Sequence, residues 1–130
     1  MRAEALKGHL DALLLAALEP GPAHGFAVMA ELRRRTGGSV DLEGGTLYPA
    51  LRRLERAGLI SGTWITAGGR RRREYQLTER GRLTLAEERG RWREFVATLT
   101  AALEPVRAHQ PVTGRDPSEP RTPGGVGLQA

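Results

Sequence analysis

A chain of 130 residues has room for one small domain, and its lack of cysteine rules out disulfides, thiolate metal sites and cysteine nucleophiles together. Its net charge of +5 lies wholly before residue 104, with 17 basic against 12 acidic residues up to Leu103 and three of each after it. All but one of the basic residues are arginine. Arginine forks suit phosphate and guanine edges, but a GC-rich genome also favours arginine, so placement must decide.

The longest apolar run, Ala12 to Leu18, is far too short to span a membrane, and the opening residues carry no secretory pattern. A soluble, cytoplasmic protein without a membrane partner is expected. Within residues 4–19, Leu6, Leu10, Leu13, Leu14, Ala17 and Leu18 recur at steps of three and four, which predicts an amphipathic first helix. Pro20-Gly21-Pro22 ends it. A second helix is predicted from Ala23 to Thr36, started with help from His24, with Phe26, Met29 and Leu32 on one side. Arg33 to Arg35 occupy its last turn, where cations suit the helix dipole, and Gly37-Gly38 stop it.

The clearest signal is residues 44–60, GGTLYPALRRLERAGLI. On a helix, Leu51 and Leu54 fall within about 40° of Leu47, and Pro49, Arg52, Arg53 and Arg56 spread over the other side. With Gly45 or Thr46 as N-cap, Pro49 is expected in the first turn, where no intrahelical N–H bond is lost. Gly58 suits the left-handed position past the helix end, with Leu59 and Ile60 folding back.

A strand follows from Ile60 to Thr66, then Ala67-Gly68-Gly69, then the basic block Arg70 to Arg73 leading into a second strand from Glu74 to Thr78. Ile60, Gly62, Trp64 and Thr66 share one face, and Trp64, Tyr75 and Leu77 are expected to pack on the helices as core. Thr78 is a good N-cap for a fourth helix reaching about Leu103. Leu85, Trp92 and Leu99 repeat at seven, Phe95 and Ala102 form a companion seam, and Val96 and Leu103 lie beside it. This predicts a partner helix from a second copy, a homodimer, although Glu88, Gly81 and Gly90 interrupt the pattern. A single helix packed across its own domain is the alternative.

The resulting fold class is mainly α with a small β-hairpin: a winged helix-turn-helix plus a long C-terminal dimerisation helix. Residues 1–78 make the winged helix-turn-helix, 79–103 the dimerisation helix, and 104–130 a Pro/Gly-rich tail expected to be disordered.

The 44–60 motif, with His24-Gly25-Phe26 before it and Arg73-Glu74-Tyr75-Gln76-Leu77-Thr78-Glu79-Arg80-Gly81 after it, closely resembles the PadR-like transcriptional regulators over roughly residues 5–103. The resemblance implies a winged-helix repressor that dimerises through its C-terminal helix and binds an inverted repeat in double-stranded DNA. It implies that Thr46, Tyr48 and Pro49 open the recognition helix, that Arg52 and Arg53 face the groove, and that Arg70, Arg71, Arg72 and Arg73 form the wing. It also matches Trp92 to a tryptophan that sandwiches a flat ligand in multidrug-responsive members, making a small hydrophobic or aromatic effector a candidate partner. The chain lacks the longer helical C-terminal domain of one subgroup and looks like the short one.

Arg56 joins Arg52 and Arg53 as a candidate DNA contact on the cationic helix face. Tyr48 either donates to a phosphate or packs beside Leu51. Leu85, Trp92, Phe95, Val96, Leu99 and Leu103 are the candidate dimer contacts, Trp92 serving packing or a ligand. His9, His24 and His109 show no ligand spacing, and no metal, cofactor or catalytic set is expected. A winged-helix module that binds protein without promoter specificity remains the alternative to a DNA-binding regulator.

Overall fold

Leucines at helical spacing set the core. Leu14, Leu15, Leu47 and Leu51 are completely buried, and Leu18, Leu32 and Leu54 nearly so. Each such burial contributes about 1.5–3 kcal/mol of transfer free energy. The computed structural model describes Leu6 and residues 8–106. Its elements run α1 (Leu10–Ala17), β1 (Ala23–His24), α2 (Gly25–Arg35), α3 (Gly44–Arg56), β2 (Ile60–Ala67), β3 (Arg70–Leu77) and α4 (Glu79–Leu103). The chain divides into two units, Met1–Val96, which contains the whole described core, and Ala97–Ala130. The tail expected to lack structure lies outside the described residues from position 107 on.

The first helix begins later than its leucine pattern suggests. Gly8 sits at φ 88°, in the left-handed region, and the regular helix starts only at Leu10, while Leu6 is buried just before it. The second helix also starts later than expected, because Ala23 and His24 form a two-residue strand paired with Tyr75 and Glu74. His24 then caps α2, its Nδ1 accepting from the Ala27 N–H at 3.2 Å. The buried positions of α2 are Gly25, Val28 and Leu32. Phe26 was expected on the inner side but is 70% exposed, because it lies about 120° around the helix from Leu32.

In α3 Leu47, Leu51 and Leu54 are buried as predicted, and Ala50 is buried with them. Its start is not. Glu43 is the N-cap, so Pro49 lies in the second turn and leaves the Gly45 carbonyl without its helical partner. Gly45 is exposed, so water can take that acceptor. At the other end Gly58, at φ 78°, lets the chain turn back, with Gly58 N–H donating to the Glu55 carbonyl and Leu59 N–H to the Leu54 carbonyl, both at 3.0 Å.

The three strands are antiparallel in the order β1-β3-β2. Gly68 and Gly69, at φ 59° and 79°, close a two-residue turn between Ala67 and Arg70, so the basic block is itself strand. This register sets Leu77 opposite Ile60, Tyr75 opposite Gly62 and Arg73 opposite Trp64. Ile60, Tyr75 and Leu77 reach the core. Trp64, expected there too, is 55% exposed, because the ladder nearer the turn has run past the helices.

Thr78 ties the wing to α4. Its hydroxyl donates to the Gly58 carbonyl at 2.7 Å and accepts from the Gly81 N–H at 3.0 Å. Gly81 is buried, and a Cβ there would run into the Leu59 carbonyl. Gly90, also within the helix, would meet nothing within 4 Å. The two glycines, equivalent by helix propensity, therefore have opposite consequences. Gly81→Ala should lower stability by about 1–3 kcal/mol through overpacking, and Gly90→Ala should raise it by about 0.5–1 kcal/mol. Thermal melts of the two variants would check both signs.

Candidate nucleic-acid interface

The leucine stripe that anchors α3 dictates what its other side presents. Arg52, Arg53, Arg56, Tyr48 and Pro49 are exposed, and Thr46 is half-buried. The β2–β3 hairpin stands beside this helix because β1 and the Thr78 hydroxyl hold its base. Between them lies a cleft of about 700 Å³ lined by Tyr48 and Arg52 from α3, by Trp64, by Arg70 to Arg73, and by His24, Gly25 and Phe26 from the start of α2. Arg52 and the whole basic block, far apart in sequence, thus share one concave surface. Arg53 and Arg56 are not among its lining residues.

The strand register sorts the four hairpin arginines. Arg71 and Arg73 share a face with Trp64, and Arg70 and Arg72 alternate onto the other. The Arg71 guanidinium lies 4.8 Å and that of Arg73 5.4 Å from the indole centroid, so the ring is flanked by two cations. Arg73 also pairs with Glu55 of α3, each side chain less than a third exposed. Hydrogen bonding to Glu55 pushes the Arg73 guanidinium above its ordinary value. Burial, followed by the nearby Glu55 carboxylate, pushes the Tyr75 phenol up.

Other arginines are similarly engaged. Arg53 pairs with Asp11 of α1. Glu31 holds Arg34 at 2.8 Å and Arg35 at 2.6 Å, and those two hydrogen bonds bring its carboxyl down to about 2, while Arg33 bonds Asp41 at 3.0 Å. The three arginines ending α2 thus have carboxylate partners. Among the described residues Arg52, Arg56, Arg70, Arg71 and Arg72 are in no ion pair.

Tyr48 has a specific seat. A Cβ on Gly25 would lie 2.9 Å from its Cζ and hydroxyl, and one on Gly44 would lie 3.4 Å from Cε2. The ring therefore rests over two glycines, and its partner is the first turn of α2, not a place beside Leu51 alone. His24 and Phe26 also reach the cleft, although neither was expected there. The alternation of wing residues could have revealed Trp64, but nothing in the sequence marks the β1 pairing that brings the start of α2 alongside.

A second cavity, of about 490 Å³, lies between α1 and α4 and is largely apolar, lined by Leu13, Ala16, Val40, Leu85 and Trp92 with His9 and Glu88. Trp92 meets His9 edge-on at 4.8 Å and Phe95 at 5.5 Å. Leu85, expected at a dimer contact, is 3% exposed and belongs to the core of its own chain, because the first turns of α4 close over α1. Phe95, Val96, Leu99 and Leu103, by contrast, are 41–75% exposed. Among the described residues no helix is long and apolar enough to cross a membrane.

Comparison with known proteins agrees with this geometry. The family model described as "Transcriptional regulator PadR-like family" matches residues 14–87. A protein of Lysinibacillus sphaericus called uncharacterized protein X is 29% identical over 106 residues, 80% of this chain and 96% of that one. Transcriptional regulator Rv3488 of Mycobacterium tuberculosis is 41% identical over 66 residues, 51% of this chain and 59% of the relative. The crystal structure of a PadR family transcriptional regulator from Eggerthella lenta superposes with a TM-score of 0.68 at 32% identity, covering 79% of this chain and 88% of that one. With the family pattern spanning the helices, the hairpin and the start of α4, this chain belongs to the PadR-like family of transcriptional regulators.

Proposed function

We propose that the chain acts as a homodimer that binds an inverted-repeat operator and represses transcription there. In this reading α3 enters the major groove and the β2–β3 wing follows the neighbouring backbone. The observation that carries it is the shared cleft: Arg52 and Arg70 to Arg73 line one concavity on the side of α3 opposite its buried leucines. Residues 1–78 are the DNA-reading module and 79–103 the dimerisation helix. Thr46, Tyr48 and Pro49 meet the duplex at the start of α3, with Arg52 and Arg56 further along. Arg53 reaches DNA by leaving Asp11. Arg70 and Arg72, exposed and without an ion pair, are the wing's phosphate contacts.

The dimer is supported by the exposed Phe95, Val96, Leu99 and Leu103 along α4. The cavity beside Trp92 fits a small aromatic effector, whose presence releases the operator. Because the cavity wall includes both α1 and α4, filling it bears on the helix that carries the dimer contacts and on the helix that pairs with Arg53.

Binding to a labelled duplex should fall steeply with salt. Replacing Arg70 and Arg72 together with alanine should weaken specific and mixed-sequence duplexes alike and flatten the log-log slope by about 1.8. A flat response in the wild type would contradict DNA binding and favour a protein partner. Val96→Glu should give monomers in sedimentation with the fold intact by circular dichroism; an undisturbed dimer would contradict the interface. A planar aromatic compound that occupies the α1–α4 cavity should quench Trp92 in a Trp64→Phe background, where a single indole remains to report.

A further inference from the structure

Glu55 is out of place on a surface that is to meet phosphates. Among the described residues it is the one carboxylate lining the cationic cleft, and it lies within the last turns of α3. Left alone it would repel DNA, and its effect would be large because the cleft concentrates the field. It is not alone. Its Oε2 accepts from Arg73 Nη2 across the gap between helix and wing, with both side chains less than a third exposed.

Arg73 is held there from three sides. Its guanidinium lies over Gly62, where a Cβ would stand 2.7 Å from Nε and 2.9 Å from Cζ, so it occupies space that a side chain at this position would contest. The Trp64 indole, directly opposite in the ladder, lies 5.4 Å away. Glu55 takes the terminal nitrogen. The same indole carries Arg71 at 4.8 Å, so the contact chain runs from α3 through Arg73 and Trp64 to the guanidinium nearer the turn.

We infer that Glu55 and Arg73 are positioning residues that lock the wing at a fixed angle to the recognition helix, and that Arg73 is a strut and not a phosphate contact. The lock makes the spacing between Arg52 and the free wing cations a rigid feature of the protomer. A wing held in this way meets the backbone only when α3 is seated in register, so the pair contributes to operator selectivity. This inference rests on the DNA-binding reading above.

The test turns on the sign of one substitution. If Arg73 contacts phosphate and Glu55 merely sits nearby, Glu55→Ala removes a repulsive charge, tightens binding, and adds independently to the loss caused by Arg73→Ala. If the pair is a strut, Glu55→Ala weakens binding to a footprinted operator duplex by about three- to tenfold despite the gain in net positive charge, and the double variant loses no more than Arg73→Ala alone. The exchange Glu55→Arg with Arg73→Glu, which preserves net charge, restores most of the affinity that Arg73→Glu loses. Hydrogen exchange of β2 and β3 reports the lock directly: Glu55→Ala should speed it while the amides of α1 and α2 keep their protection. Tighter binding by Glu55→Ala, additive losses, or unchanged wing exchange would overturn the inference. Wild-type protein that shows no salt-dependent binding to any duplex would instead overturn the DNA-binding reading itself.

Discussion

Everything at the cationic surface depends on how firmly α3 is held by its far side. Leu47, Leu51 and Leu54 are at most 1% exposed, so the helix cannot rotate without bringing leucine into water. Truncating any one of them to alanine would cost about 2–5 kcal/mol, a large fraction of the stability of a small domain. With that stripe fixed, Arg52 and Arg56 must face outward. The arginines need no attraction of their own to be placed; apolar burial on one side of the helix places them.

The wing is oriented by a different set of forces. Its base is fixed by the Thr78 hydroxyl on the Gly58 carbonyl, by the two-residue pairing with β1, and by Tyr75 and Leu77 in the core. Beyond Tyr75, among the described residues, no core holds it. What bridges to α3 there is polar, Arg73 with Glu55, and what lies on that bridge is the exposed Trp64. The change from apolar to polar fastening along one strand explains how the hairpin is anchored at its base and cationic at its turn.

Much of this was legible in the amino acids, and the remainder fails for identifiable reasons. The leucine stripe of α3, the glycine that ends it, the Gly-Gly hairpin and the Thr78 cap are local signals with local causes, and the structure has them where the spacing puts them. An aromatic side chain on the apolar side of a strand, such as Trp64, reads as core unless one knows where the neighbouring layer stops, and Phe26 lies about 120° around α2 from Leu32, too far to share its buried side. Heptad spacing puts Leu85 on a seam, but Leu85 serves the domain's own core, and the exposed Phe95, Val96, Leu99 and Leu103 come later in α4. Pro49 falls in the second turn and not the first because Glu43, and not Gly45 or Thr46, is the cap. The pairing of β1 with β3 involves two residues and has no sequence signature, yet it brings His24, Gly25 and Phe26 to the cleft. Long-range pairings of charged groups, Arg53 with Asp11 and Arg73 with Glu55, depend on packing that no periodicity encodes.

In the proposed complex two copies present their clefts to one duplex in symmetric fashion. A footprint on the DNA upstream of the gene for this protein and of its neighbours tests it most directly. Two protected half-sites related by a dyad, with centres about one helical turn or roughly 34 Å apart, are the predicted result. Protection of a lone, asymmetric site, or none at protein concentrations well above those that saturate mixed-sequence DNA, would contradict it.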